Sequence, residues 1–106
     1  MKLWNLAHTR TGDKGDTSNI SVIAYKAADY AKLCEALTAA CVERYMERLF
    51  AGHALPKNFA VRRYELPGVQ GLNFVITGVL HGGVTRSLAL DAHGKTLGSI
   101  LLDLDV

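Results

Sequence analysis

Residues 8–19 read HTRTGDKGDTSN, a run with no hydrophobic residue but with His8, Arg10, Lys14, Asp13, Asp16, Asn19, Gly12 and Gly15. These residue types suit the holding of negative charge. A guanidinium such as Arg10 grips a carboxylate or phosphate through two parallel N–H bonds, and Lys14 adds a point charge. Gly12 and Gly15 admit φ > 0, which would turn the N–H groups around Asp13 and Lys14 into one anion-holding concavity. His8, at the entry to the run, has the side chain most used as an acid/base near neutral pH. The plain alternative is a rigid connector in which Asp13, Asp16 and Asn19 hydrogen-bond their own backbone.

A second polar cluster, HGGVTRS at 81–87, gathers His81, Gly82, Gly83, Thr85 and Arg86. By itself it reads as a hairpin turn whose glycines supply the required dihedrals. If the strands leading into the two clusters run parallel as neighbours, His8 and His81 emerge at one sheet edge. Arg10, Lys14 and Arg86 then face a common cleft.

Other chemistries fit poorly. A Walker A loop needs Gly-Lys-Ser/Thr opening a helix, whereas Lys14 precedes Gly15 and the run enters the β-branched segment NISVIAY. An EF-hand needs alternate oxygen ligands and a closing Glu, but Asp13, Asp16 and Asn19 are spaced by three. A metal site from His8, His81 and Asp13 has no motif spacing behind it, so no metal is expected. Ser18 and Ser87 stand in no GxSxG elbow. Cys34 and Cys41 form neither a CxxC pair nor a zinc knuckle, and both read as small core residues in a reducing compartment.

The elements that must carry these groups show as changes of period. Residues 2–7 (KLWNLA) alternate like a strand, and 19–25 are apolar on both faces. From Ala27 to Phe50 the period is helical. Tyr30, Leu33, Cys34 and Leu37 form one stripe, and Val42, Tyr45, Met46 and Leu49 form a second, out of phase across Thr38. Two consecutive helices are the reading, with one bent helix as the alternative; Thr38 can cap the second and Gly52 is placed to end it.

Residues 58–66 form a strand with Arg62 and Arg63 facing opposite sides, and Pro67-Gly68 marks a turn. LNFVITGVL (72–80) is the clearest strand. VTRSLALD (84–91) and TLGSILLDLDV (96–106) then form a hairpin about residues 92–95. The last strand would bury Ile100, Leu102, Leu104 and Val106.

The expected fold is thus α+β: a mainly antiparallel sheet of about six strands with a helical pair on one face. The other face is solvated or covered. Leu101, Val79 and Val75 lie opposite the expected core positions, which points to a homodimer formed sheet to sheet.

A chain of 106 residues, 49% hydrophobic and 21% charged, makes one ordinary globular domain spanning 1–106. The formal charge of +2, with Lys and Arg scattered, gives no basic stripe for nucleic acid. The aromatics Trp4, Phe59, Tyr64 and Phe74 lack the Gly-Phe-type motif of an RNA-stacking sheet. No apolar run reaches the ~18–20 residues of a membrane span, and the first residues do not read as a signal peptide. A soluble cytoplasmic protein is expected, with no nucleic-acid or membrane partner.

Three stretches, LAHTRTGDKGDTSNISVIA (6–24), RYELPGVQGLNFVITGVL (63–80) and GGVTRSLALDAHGKTLGSILLDLDV (82–106), resemble the AtuA-like ferredoxin-fold domain. That family's pattern Leu-Ala-His-x-Arg-x-Gly-Asp-Lys-Gly-x-x-x-Asn-Ile is met by Leu6, Ala7, His8, Arg10, Gly12, Asp13, Lys14, Gly15, Asn19 and Ile20. Leu72-Asn73-Phe74, Gly82-Gly83-Val84-Thr85 and Ser87-Leu88 match as well. The resemblance implies a ferredoxin-like fold. It also implies a domain that usually follows a larger one in proteins of acyclic terpene utilisation, and that also occurs as a separate short protein. Carboxylates or coenzyme A thioesters are the substrates it implies. Many relatives have Gly where this chain has His81, which shifts weight to His8, Arg10, Asp13, Lys14 and Asn19.

The leading expectation is an accessory subunit, non-catalytic alone, that joins a separately encoded large AtuA-type protein and contributes an anion-binding loop. Its contacts would come from Arg10, Gly12, Asp13, Lys14, Gly15, Asn19, Gly82, Gly83, Thr85 and Arg86. The alternative is a small self-sufficient enzyme or acyl-thioester binder at a dimer cleft, with His8 as acid/base.

Overall fold

Two stretches that carry β-branched residues, Thr9 and Thr11 in one and Ile20, Val22 and Ile23 in the other, pair as strands, because such residues favour a pleated surface. In the computed structural model, which describes residues 1–14, 17–49, 57–78 and 97–106, Ala7–Lys14 (β1) and Thr17–Ala24 (β2) are antiparallel. Their register runs from Ala7↔Ala24 to Lys14↔Thr17. The run 8–19 is therefore a hairpin and not a loop. Its strand character was hidden because the inward positions of β1 carry Thr9 and Thr11 where aliphatics would announce a strand.

The expected strand at 2–7 is also corrected. Leu3–Asn5 make one 3₁₀ turn, with the Leu6 N–H bonding to the Leu3 carbonyl at 2.9 Å. Leu3 and Leu6, three apart, are buried while Trp4 is exposed. This segment is tied to the end of the chain: the Leu3 N–H donates to the Leu104 carbonyl at 2.8 Å, and Val106 N–H to the Met1 carbonyl at 2.8 Å.

The helical stretch divides as its two stripes require, into α1 (Ala27–Ala36) and α2 (Ala39–Leu49). Thr38 caps α2, its Oγ1 accepting the Cys41 N–H at 3.1 Å. Leu33 and Leu37 on one stripe, and Val42 and Met46 on the other, are fully buried. Ala60–Leu66 (β3) and Gly71–Thr77 (β4) follow, joined by a 3₁₀ turn at Pro67–Val69 and by Gln70 in the left-handed region at φ 57°.

The sheet order is β1-β2-β4-β3 with every neighbouring pair antiparallel. Strands β2 and β3 therefore point the same way with β4 between them and the helices connecting them. That is the split β-α-β of a ferredoxin-like α+β fold, with β1 filling the fourth place. Among the described residues the sheet has four strands, where about six were expected of the chain.

Part of that difference lies at the end of the chain. Leu97–Leu101 form a short helix, α3, and not the strand expected over 96–106. The segment satisfies both periods. Ile100, Leu102, Leu104 and Val106 alternate, but Leu97, Ile100, Leu101 and Leu104 stand at helical spacing. Packing selects the helix. Leu101 and Leu104 are buried, so Leu101 belongs to the core and not to the opposite face. The Gly98 N–H reaches Thr11 Oγ1 at 3.1 Å, and a Cβ there would lie 2.9 Å from Thr9 Oγ1, so only glycine lets α3 lie on the threonines of β1. The strand expected at 84–91 and the turn at 92–95 lie outside the described residues.

Ile20, Val22, Leu72, Phe74 and Ile76 on the inner face of the sheet pack with the helical stripes to form the core. Arg62 and Arg63 face opposite sides as expected, and Arg63 is the one that faces inward. Its Nη1 donates to the Cys34 and Leu37 carbonyls at 2.7 and 3.2 Å, and its Nη2 pairs with Glu65 at 2.8 Å. The guanidinium thus closes the C-terminal end of α1, where unpaired carbonyls and the helix dipole favour a cation.

Candidate functional site

The helices cover one side of the sheet, so alternate residues of each strand form a second, open face. The registers arrange it in rows across β1, β2, β4 and β3: His8–Ile23–Gly71–Leu66, Arg10–Ser21–Asn73–Tyr64 and Gly12–Asn19–Val75–Arg62. Strands stand about 4.8 Å apart, which makes each row roughly 14 Å long. His8, Arg10, Gly12 and Asn19, four of the residues singled out in the polar run, share this surface because period-two alternation puts every second residue on one side.

His8 opens β1, exposed, and stacks on Tyr25 with ring centroids 5.5 Å apart. It does not stand at the end of a strand beside the residues that follow β4. Strands β1 and β4 do run in the same direction, but β2 lies between them. His8 is level with Gly71, where β4 begins, and Thr77, where β4 ends, is roughly 20 Å farther along. The cluster at His81, Gly82, Gly83, Thr85 and Arg86 lies outside the described residues.

Gly12 faces Asn19 in the ladder, and Gly78 is the glycine recorded at positive φ among the described residues. Gly12 is extended and ladder-bonded, so it does not supply the left-handed turn, and the expected concavity around Asp13 and Lys14 extends to residues outside the described ones. Asp13 and Lys14 are the last residues of β1, paired with Ser18 and Thr17, and Gly15 lies outside the described residues.

The centre of the face is a hydrogen-bonded cluster of three side chains. Asn73 Nδ2 donates to Asn19 Oδ1 across the diagonal and to Ser21 Oγ at 2.9 Å. Arg10 stands directly across from Ser21, and Arg62 across from Val75. Both arginines are exposed, and neither makes an ion pair with any described residue. Apart from Asp13, whose side chain is not among those described, no Asp or Glu of the described residues lies on this face. Glu65 is bound to Arg63, Asp103 and Asp105 meet Lys2, and Asp29, Glu35, Glu43 and Glu47 are on the helices. The described side chains of the open face thus include two cations and no carboxylate.

A shallow trough of about 660 Å³ runs over it, with Arg10, Asn19 and Ser21 at the polar part and Ile23, Leu66 and Val69 at the apolar part. Such a surface can seat an anion carried on an apolar body. No group of three His, Cys, Asp or Glu among the described residues is placed to hold a metal ion.

Ser21 and Asn73 were not legible as site residues, since each is one polar residue inside an apolar run. The available signal was the two-residue spacing Asn19-x-Ser21 against Ile20-x-Val22, which marks one covered side and one polar side.

The family model of the AtuA ferredoxin-like domain matches residues 1–106, the whole chain. None of the curated proteins matches it. The chain belongs to the AtuA ferredoxin-like domain family.

Proposed function

With that membership as premise, we propose that the chain is an accessory domain of an acyclic-terpene-utilisation-type catabolic system, and that its open sheet face holds an anionic ligand. The ligand class is a carboxylate, a phosphate or a coenzyme A thioester. One observation carries this reading: Arg10 and Arg62 make no ion pair with any described side chain, on a face whose described side chains include no carboxylate. Unneutralised cations beside hydrogen-bond donors and an apolar trough attract an anion with an apolar body.

The accessory role predicts co-purification with a larger, separately encoded protein of the same system. The reducing setting of the cytoplasm suits Cys34 and Cys41, which are free thiols. No helix among the described residues is long and apolar enough to cross a membrane.

The test is a thermal-shift screen of coenzyme A thioesters and terpenoid carboxylates on the wild type and on Arg10→Gln. A ligand at a hundred times its Kd stabilises by about 2.7 kcal/mol, roughly 10 °C or more for a domain of this size. Arg10→Gln should lose most of that shift. Absence of a shift across the panel, or equal shifts in both proteins, overturns the anion-binding reading.

A further inference from the structure

We infer that the free edge of β3 pairs with the same edge of a second copy of this chain, antiparallel about a two-fold axis at Tyr64. The inference goes beyond the anion-binding reading and does not rest on it. It starts from the backbone groups that the sheet leaves over. Ala24 N–H donates to the Gln70 carbonyl and Tyr25 N–H to the Leu6 carbonyl, both at 3.0 Å. Bonded pairs alternate along an antiparallel ladder, so the even-numbered residues of β2 bond to β4 and the odd-numbered ones to β1. The odd-numbered residues of β4 therefore bond to the even-numbered residues of β3. Val61, Arg63 and Glu65 aim their N–H and carbonyl groups the other way. Among the described residues no strand lies there, and five of the seven residues of β3 are exposed.

A bare edge is a template for another strand, and charge selects the strand and its register. With seven residues in β3, two-fold centres at Arg62, Arg63 and Tyr64 are those that join at least five residues of each copy. The first sets Arg62 across from Arg62 and the second Arg63 across from Arg63, and like charges directly opposite are destabilising. The third sets Arg63 across from Glu65 on both sides of the axis. Both belong to the outward-facing set, so Arg63 of one copy and Glu65 of the other exchange backbone bonds. Within one copy the Arg63 and Glu65 side chains already meet at 2.8 Å. Opposite charges then alternate around four side chains. On the open side Tyr64 lies across from Tyr64, which covers a residue 49% exposed in the single copy. Strand β1, the other edge, has no such register. Every centre that joins five or more of its residues sets a basic residue, His8, Arg10 or Lys14, across from another.

Paired this way, two copies form one continuous sheet, with the helices of both on one side and both open faces on the other. Each trough keeps its opening, so hexanoate, a carboxylate on an apolar tail, should bind single copy and dimer alike. An edge of this length makes a small interface. The chain should be a monomer at low micromolar concentration and a dimer toward millimolar.

The experiment is sedimentation equilibrium across that concentration range for the wild type, Tyr64→Lys, Tyr64→Glu and an equal mixture of the two variants. Tyr64 meets itself at the axis, so each variant alone opposes like charges and loses the ring pair, and the dimer should weaken about tenfold or more. The mixture sets an ammonium across from a carboxylate and should restore the dimer. A contact at any other surface would not respond in this way. In the wild type, amide exchange at Arg63 and Glu65 should slow as concentration rises, while that at Thr9 and Thr11 on the β1 edge stays as it was. Amide exchange needs no substitution and decides the matter should the variants fail to fold.

A wild type that stays monomeric toward millimolar concentration overturns the inference. So does a dimer that Tyr64→Lys leaves intact, or one that the mixture fails to restore. Hexanoate affinity that falls as the dimer forms puts the contact on the open face and overturns it as well.

Discussion

Two adjacent arginines show how far one position along a strand changes what a side chain is for. Arg62 faces the open side with no ion-pair partner among the described residues, and Arg63 faces the helices, where it joins three oxygens. The Arg63 bonds tie β3 to the last turn of α1, the region where the chain leaves one helix for the next. Charge-assisted hydrogen bonds of this kind contribute about 1.5–3 kcal/mol when a partner would otherwise be left unpaired. Arg63→Ala should therefore lower the urea midpoint by that equivalent. Arg63→Lys should recover only part, since an ammonium cannot fork to carbonyls and a carboxylate at once. Arg62→Ala should leave stability nearly unchanged, as a surface substitution without partners does. Equal stability losses at 62 and 63 would contradict the assignment of the two faces.

At the scale of elements, α2 carries a group that reports on its own packing. Tyr45 donates its hydroxyl to the Ile100 carbonyl at 3.0 Å, linking α2 to α3. Burial, with Asp103 nearby, raises its pKa above the ordinary 10.0, while Lys2 and Arg48 act in the other direction. A tyrosine whose folded pKa is raised stabilises the protein fully below its unfolded pKa and loses that contribution as pH climbs through the folded value. Stability should thus decline from about pH 10 upward. Tyr45→Phe should make the alkaline slope shallower, with a small loss at neutral pH from the missing bond. An unchanged slope in urea melts between pH 9 and pH 11 would rule this out.

Legibility followed the same elements. The helices could be read because apolar residues recur at helical spacing on both sides of Thr38, a residue with a capping oxygen. Strand β1 could not, because its covered positions are threonines that glycine-bearing α3 happens to fit. The segment 96–106 could not either, because it obeys two periods and only burial of Leu101 and Leu104 chooses between them. Of the site, Arg10 and Asn19 were visible as charge and hydrogen-bonding capacity in a polar run. Asn73 and Ser21 became meaningful only once the sheet order set β4 beside β2, joining residues 52 apart in the chain.

At the scale of the whole molecule, the distribution of charge decides what the open face can meet. A net charge of +2 hides a separation. Apart from Asp13 in β1, the described carboxylates sit on the helices, beside Arg63 or at the end of the chain, and the sheet's open side keeps Arg10 and Arg62. Two copies docked sheet to sheet would bring four such guanidiniums together (two from each) with no described carboxylate to offset them. Like charges brought out of water are costly, and added salt relieves the repulsion, since the screening length drops from about 10 Å at 0.1 M to about 3 Å at 1 M. A dimer through this face should therefore tighten as salt is raised. An anionic ligand on the same face should bind more weakly as salt is raised, because the attraction is screened. The two uses of the surface respond to ionic strength with opposite sign. Light scattering and hexanoate titration across the same salt series therefore separate them. A monomer at low salt with hexanoate affinity falling toward 1 M assigns the face to the ligand. A dimer already complete at low salt, with hexanoate affinity indifferent to salt, would mean that the arginines are neutralised by something other than an anionic ligand.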